Sequence, residues 1–523
     1  MSVRHSILHS TTPRSVSGRG AVRGWTLALL VPISIALGSC SGSCSARVPE
    51  QDSRYNVLFL CVDDLRPELG CYGAEGMLTP NIDALAERGV RFTRAYCQQA
   101  TCGPSRASLL TGCRPKTTGV LTLYEDYRER LPDLVVLPEL FKQNGWYTRA
   151  LGKVHHGDGR VDDARAWSET CWRPEHWQSY YALPESQAAV AAARARIRTR
   201  FDGYPRVLAW EAPDVPATEL GDGQIADEAI RFLEQRGDEP FFLALGFLKP
   251  HLPFVAPKRF WDLYPEDEID LDALPPWPAG APGCASNSSA EVMAYENIPN
   301  DVPISPEQQL TLRRGYSACV SHVDAQIGRV LAALEEEGIA ERTIVVLWGD
   351  HGWHLGDLGL WGKHTNFEAA TRTPLIVYLP GMVTGGAACA SLVESVDIYP
   401  TLAELCGLTA PERIEGVSFV PLLDDPQKPW KSAVFSRYPR RVPGVGKTVG
   451  RSMRTERHRV VEWTLKGKDF REVEVYDLAE STTETINLAT DEANAELVEG
   501  LIDQLHAGWR KALPPLASES VGD

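Results

Sequence analysis

The chain has 523 residues, 43% hydrophobic and 23% charged, which is ordinary globular material with enough apolar content for a large core. A formal net charge of −16 leaves no basic field to hold nucleic acid, so an anionic ligand must be gripped by a few local cations. The twelve cysteines contain no CxxC pair, which argues against a structural zinc site and against a disulfide-stapled small fold.

Residues 1–50 read as a leader and linker: Arg4, Arg14, Arg19 and Arg23 precede an apolar run from Trp25 to Leu37 that Pro32 interrupts, followed by small residues. Leu37-Gly38-Ser39-Cys40 resembles the lipobox of bacterial lipoproteins. The expected mature protein is therefore exported, either as a periplasmic or cell-envelope lipoprotein anchored only through a lipidated Cys40, or released after a plain signal-peptide cut.

The next run, Asn56 to Val62, is continuously apolar, the pattern of a strand covered on both faces, and it ends on Asp63-Asp64. Thr79-Pro80 opens a helix that stops before Gly89. Three more apolar runs end on charged residues: Trp146 to Leu151 before Lys153, Phe241 to Leu248 before Lys249 and His251, and Thr343 to Trp348 before Asp350-His351. A long helix with Tyr316, Val320, Val323, Ile327, Val330 and Leu334 at helical spacing precedes the last of them. Strands alternating with helices predict an α/β fold with a mostly parallel central sheet over residues 51–430. Residues 158–223 read as an irregular insertion and 265–308 as a Pro-rich loop, while short alternating runs and a final helix predict a smaller α+β subdomain over 431–515.

In open α/β sheets ligands bind beyond the carboxyl ends of the strands. One acidic pair there could be a helix cap, but two acidic ends joined by Lys and His at others describe a convergent site. Carboxylates are hard ligands for Ca²⁺, with Mg²⁺ the alternative, and Lys and His supply cations and proton donors for an anionic ester.

Cys102-Gly103-Pro104-Ser105-Arg106, continuing to Thr111-Gly112, is the sharpest motif. A lone Cys in an exported chain is most often buried or disulfide-bonded. This string, however, resembles the sulfatase signature C-x-P-S-R-x-S-x-x-T-G at every fixed position. The resemblance runs over roughly residues 53–510 and is nearest to the iduronate-2-sulfatase branch, through Gly152-Lys153-Val154-x-His156, KPHLPFVAPKRFWDLY (249–264), GDHGWHLGDLGLWGKHTNFE (349–368), SRYPRR (436–441) and RSMRTERHRVVEW (451–463).

The resemblance implies an alkaline-phosphatase-like sandwich and a sulfate-ester hydrolase acting on a sulfated saccharide. It implies that a formylglycine-generating enzyme converts Cys102 to formylglycine (3-oxoalanine). Asp63, Asp64, Asp350 and His351, with the residue at Cys102, would hold Ca²⁺. Arg106 would hold the aldehyde hydrate, Lys153 and Lys363 the sulfate, and His251 would protonate the leaving oxygen through a covalent sulfo-enzyme. His156 would assist the nucleophile, with His155 the alternative. Lys249 and His364 read as solvated or secondary neighbours, and Trp353, His354 and Arg437–Arg441 as sugar-pocket or surface residues. A phosphodiesterase or phosphonate monoester hydrolase of the same superfamily, and an inactive glycan-binding homologue, are the competing readings.

Overall fold

A computed structural model describes residues 54–515 apart from 124, 157–161, 175–180, 197–204, 299–302 and 480–482; the leader and Cys40 lie outside the described residues. The four charged-ended runs become β1 (Asn56–Val62), β3 (Tyr147–Gly152), β4 (Phe241–Phe247) and β5 (Thr343–Gly349) of an eight-stranded sheet that also contains β2 (Val90–Tyr96), β6 (Arg372–Tyr378), β7 (Ala388–Cys389) and β8 (Val393–Glu394). The order is β7-β2-β6-β5-β1-β4-β3, with β8 beside β2. Among the described strands of this sheet only β6 runs against the rest, pairing antiparallel with β5 and β2, so the sheet is mixed.

Every residue of β1, β4 and β5 is buried because helices cover both faces. Leu58, Leu60 and Val62 pack into one core and Val57, Phe59 and Cys61 into the other, which follows from the two-residue period of a strand. The first core is closed by α1 (Pro80–Arg88), α3 (Gly221–Gln235) and α4 (Pro306–Glu336), the second in part by α2 (Cys102–Thr111). Helix α4 starts ten residues before its apolar spacing becomes regular, because Ser305 and Gln308 form a capping box around Pro306 at the first helical position.

The segment read as an irregular insertion is more ordered than expected. It contains a helix, Pro184–Arg196, a short strand, Trp210–Glu211, paired with Phe254–Val255, and the start of α3. The α3 stripe of Ile225, Ala226, Ala229 and Leu233 escaped the periodicity reading because its apolar positions are half alanine.

Residues beyond 430 form a four-stranded antiparallel sheet, β9 (Ala433–Val442), β10 (Gly446–Thr455), β11 (His458–Thr464) and β12 (Arg471–Asp477), under α5 (Ala495–Ala507). Arg454 and Arg459 of this sheet are buried against Glu368, in the short helix (Glu368–Thr371) that leads into β6, with Arg454 Nε donating to Glu368 Oε1 at 2.8 Å. The ten described cysteines are free.

Gly152 ends β3 in the left-handed region (φ 73°), which turns the chain so that Lys153 N–H donates to Gly246 O at 2.8 Å and the lysine enters the site. A Cβ there would lie 2.3 Å from Gly246 O, whereas Gly338 (φ 65°) has nothing within 4 Å. Gly338→Ala should cost only the backbone strain, about 1 kcal/mol, and Gly152→Ala clearly more. Denaturant midpoints of the two variants measure the difference, and equal costs would show that the Gly152 approach is unimportant.

Candidate active site

Strands β5, β1, β4 and β3 are parallel neighbours, so their carboxyl ends share one edge of the sheet. That order brings together residues separated by up to three hundred positions: Asp63-Asp64 from β1, Asp350-His351 from β5, Lys249 and His251 beyond β4, and Lys153 beyond β3. Cys102 reaches the same point as the first residue of α2, and Ser105 Oγ ties that helix to Asp350 O.

Ligand atoms of Asp63, Asp64, Cys102 and His351 lie within 4.8 Å of one another. His351 Nε2 is 3.2 Å from Cys102 Sγ, Lys363 Nζ is 3.5 Å and Lys153 Nζ 3.7 Å. Lys363 also donates to Asp64 Oδ1 at 2.7 Å, and Lys153 to Asp63 Oδ2. Arg106 is 1% exposed and locks the base of the site: its Nε donates to Asp350 Oδ2 (2.9 Å), Nη2 to Asp63 Oδ1 (3.3 Å) and Nη1 to the Lys153 and Val154 carbonyls. Asp350 stands beside the four-residue cluster. Its Oδ1 accepts the Asp64 and His351 amides, both at 3.0 Å, and its Oδ2 lies 3.7 Å from His351 Nε2.

The charges do not balance by themselves. Burial drives the Asp64 carboxyl well above the usual carboxylate range, and Asp63, Glu291 and Asp350 add to it against the pull of Lys363. Burial lifts Asp350 to about 6 despite Arg106, with Asp63 adding to the rise. Asp63 moves the other way: burial opposes its charge, but Lys153, His251, Arg106 and Lys363 hold it well below the usual range. Burial, then Lys363 and more weakly His364, hold His351 well below the usual imidazole range against Asp63, favouring the neutral form in which an imidazole nitrogen ligates a metal. Asp64 Oδ2 is buried without a hydrogen-bond partner among the described residues. An orphaned carboxylate oxygen beside two other acids and a neutral imidazole suits a hard divalent cation, so the donor set fits Ca²⁺ or Mg²⁺. Asp64 itself adopts a left-handed backbone (φ 60°), a strained conformation of the kind concentrated at functional sites.

The two histidines after Lys153 diverge. Trp167 Nε1 donates to His155 Nε2 at 3.0 Å and packs edge-on against the ring. His156 Nδ1 has no hydrogen-bond partner among the described residues, and burial together with Lys153 lowers this ring to about 3, with Asp63 the nearest opposing charge.

Lys249 is not solvated, as the sequence suggested: it is buried and donates to His251 O (2.8 Å) and Pro253 O (2.7 Å), bracing the loop that carries His251. Asp222 braces the same loop by accepting the Leu248 and Lys249 amides. His364 is also placed, with Nδ1 2.8 Å from Tyr438 Oη. Trp353 lies under Lys363, whose Nζ is 5.0 Å from the ring centroid, and His354 is buried with Nε2 on Thr365 Oγ1. In β9, Ser436, Tyr438 and Arg440 contact the catalytic side, at Cys97 O, His364 Nδ1 and His364 O. Strand alternation therefore turns Arg437 and Arg441 to the opposite face. Glu291 was not found from the sequence. It lies on a turn in the Pro-rich loop, where no motif or periodicity marks it, yet its carboxylate faces His251, Lys363 and His364.

The family model for sulfatases matches residues 55–408, and that for the C-terminal part of N-sulphoglucosamine sulphohydrolase matches 356–511. Human iduronate 2-sulfatase is 36% identical over 443 residues, covering 78% of each chain. A sulfatase of Formosa agariphila is 32% identical over 501 residues, covering 91% of this chain and 92% of its own. Among solved structures, a phosphonate monoester hydrolase of Agrobacterium radiobacter superposes with a TM-score of 0.69 at 24% identity, covering 87% of this chain and 95% of its own. A 2-O GAG sulfatase superposes with a TM-score of 0.64 at 22% identity, covering 87% and 91%; at these identities both support the fold alone. The chain belongs to the sulfatase family and is a sulfuric ester hydrolase.

Two outcomes follow from the geometry. Carboxyls held above their unfolded values stabilise the metal-free fold only while protonated, so its stability falls as pH rises through about 6. Ca²⁺ should remove that loss, so the gap in melting temperature between Ca²⁺-loaded and chelated protein should widen from pH 5.5 to 7.5. The corresponding stabilisation free energy should be about 2.7 kcal/mol at a hundredfold excess over Kd; a pH-independent gap would contradict the ligand set. Separately, His155→Ala should lower stability by about 1–3 kcal/mol through the lost Trp167 partner. His156→Ala should spare stability and reduce turnover by about 10²-fold. Melting curves and steady-state rates on the same preparations distinguish them.

Proposed function

We propose that this sulfatase hydrolyses O-sulfate monoesters on sugars, in the manner of an iduronate 2-sulfatase, with Cys102 converted to formylglycine and Ca²⁺ held by Asp63, Asp64, Asp350, His351 and the residue at 102. The single observation that carries the reading is the environment of Cys102. Burial, with Asp63 next, pushes its thiol well above the usual range, so the unmodified side chain would stay protonated and inert. Yet two ammonium groups, Arg106 and an imidazole are arranged around it. A soft thiol is a poor partner for a hard cation, and an oxygen at that position is a good one. When present, Ca²⁺ supplies Lewis-acid polarisation, and the hydrated aldehyde supplies one hydroxyl to attack sulfur and a second whose deprotonation expels sulfate.

The chain's own residues do the rest. Lys153 and Lys363 flank position 102 and would clamp the sulfate oxygens. Arg106 keeps Asp63 and Asp350 in place from below. His156, beside Lys153 and Asp63, would take a proton from the nucleophile, and His251 would give one to the departing sugar oxygen. Counted with Glu291, four carboxylates face three permanent cations, and a divalent ion brings the centre to one positive charge. That matches the single negative charge of a sulfate monoester better than the two of a phosphate monoester. Relatives named for sulfated sugars, iduronate 2-sulfatase and an N-acetylglucosamine-6-O-sulfatase, support a saccharide substrate. The leader reading makes the enzyme exported, to the periplasm or the cell envelope.

Peptide mass spectrometry across residues 98–106, on protein from a host with the converting enzyme, should find an aldehyde-bearing residue at 102. Cys102→Ala should lose at least about 10³-fold in turnover of an aryl sulfate, and the wild type should prefer that ester to the matching aryl phosphate. Fully active protein with unmodified Cys102, or a phosphate preference, would refute the proposal. A panel of defined sulfated oligosaccharides then identifies the sugar and position.

A further inference from the structure

Glu291 belongs to no motif and comes from outside the strand ends, but its placement is built. Asn287 is buried and uses both amide hydrogens to staple its loop to the segment carrying Lys363, donating to Trp361 O (3.2 Å) and Lys363 O (2.6 Å). Its Oδ1 accepts Ser289 N–H at 2.8 Å, and Ser289 Oγ accepts Trp361 N–H at 3.0 Å. The loop is thereby tied to the sulfate clamp, and Glu291, whose side chain is 12% exposed, projects to His251. Glu291 Oε1 lies 3.6 Å from His251 Nε2 and 3.5 Å from Lys363 Nζ, and Oε2 lies 3.4 Å from His364 Nε2.

Neutralising Lys363 is the simpler role for this acid, but Lys363 already has Asp64 Oδ1 at 2.7 Å. His251 has the stronger need. Its Nδ1 is paired with the Leu252 carbonyl, which can only accept, so Nδ1 carries a proton in every state. A proton on Nε2, the edge facing the site, then exists only in the imidazolium. Burial, Lys363 and Lys153 all disfavour that cation, and Asp63 and Glu291 oppose them. Asp63 is committed to Lys153 and Arg106.

We infer that Glu291 is a positioning residue for the leaving-group acid: its carboxylate, 3.6 Å from His251 Nε2, keeps a proton on that nitrogen available to the ester oxygen and so sets which alcohols the enzyme can expel. As the S–O bond to the alcohol breaks, its electron pair stays on the alcohol oxygen, which takes the Nε2 proton. The ring is left neutral, with Nδ1–H still on Leu252 O, and regains its proton from water. A nitrophenolate leaves without protonation; a sugar hydroxyl does not. The inference rests on the sulfatase mechanism proposed above and on His251 as its acid.

The test compares 4-nitrophenyl sulfate with 4-methoxyphenyl sulfate, substrates of similar shape whose leaving groups differ in basicity. In Glu291→Gln, kcat/KM for the methoxyphenyl ester should fall about 30-fold or more, and that for the nitrophenyl ester about threefold. With the carboxylate gone, His251 loses its acid form at lower pH, so the alkaline limb of the methoxyphenyl profile should move down. Glu291→Asp, which keeps the charge but draws it back, should fall between wild type and Glu291→Gln, and it carries the test if the amide variant does not fold. In a His251→Gln background, Glu291→Gln should add nothing. Equal losses on both esters, or additive losses in the double variant, would overturn the inference and leave the sulfatase reading intact. A wild type that turns over neither aryl sulfate would overturn that reading and the inference with it.

Discussion

The structure is governed by the cost of burying charge. Asp63, Asp64, Asp350, Arg106, Lys153 and Lys363 are all at most 5% exposed within one small volume, and an uncompensated ion in such a place costs several kcal/mol. Each is therefore held by a partner whose own position is fixed by the fold. Arg106 bridges two strand ends, Lys153 is steered in by the left-handed Gly152, and Lys363 leans on Asp64 across the Trp353 ring. What remains after that pairing is an orphaned oxygen on Asp64 and carboxyls that resist ionisation. Stability and reactivity share this origin: the residues that are costliest to bury form a donor set that fits a hard cation.

The legible parts of the sequence were those with a local cause. Strands β1, β4 and β5 could be read because burial on both faces leaves an unbroken apolar run, and because each run ends on a charge no core would accept. Cys102, Arg106 and the acid pairs lie in short contiguous strings. Helix α3 could not be read because half of its buried apolar stripe is alanine, and the strand Trp210–Glu211 within the 158–223 segment depends on pairing with the distant Phe254–Val255. Of the two readings of Lys249, solvated or secondary, the structure keeps the second, and the sequence could not choose between them for a related reason. The partners of Lys249 are the carbonyls of its own loop, a fact of conformation that a residue type does not carry. Glu291 was missed because its significance comes from a staple between Asn287 and Trp361–Lys363, a contact spanning more than seventy positions.

The site also draws on the smaller sheet. Tyr438 and Arg440 of β9 reach His364, and the β9 edge accompanies the segment leading to Cys102, with Arg437 N–H on Gln98 O at 2.9 Å. The matching arrangement on the far side, Arg454 and Arg459 buried on Glu368, fixes that sheet against the larger one. The His364 side of the site is thus assembled from a β-sheet that contributes none of the clustered residues Asp63, Asp64, Cys102 and His351.

Because β9 faces the site through alternate residues, its contribution depends on how it is aligned with β10, where Val442 pairs with Gly446 across a short turn. Sliding the hairpin by one position would exchange Tyr438 and Arg440 for Arg437, Pro439 and Arg441, replacing a phenol with a more basic surface while leaving every residue of the chain unchanged. The hairpin tip, far in sequence from Cys102, therefore acts as a parity setting for the β9 face that meets His364. A lineage could acquire a differently charged pocket by gaining or losing one residue in a turn, without touching the machinery that handles sulfate.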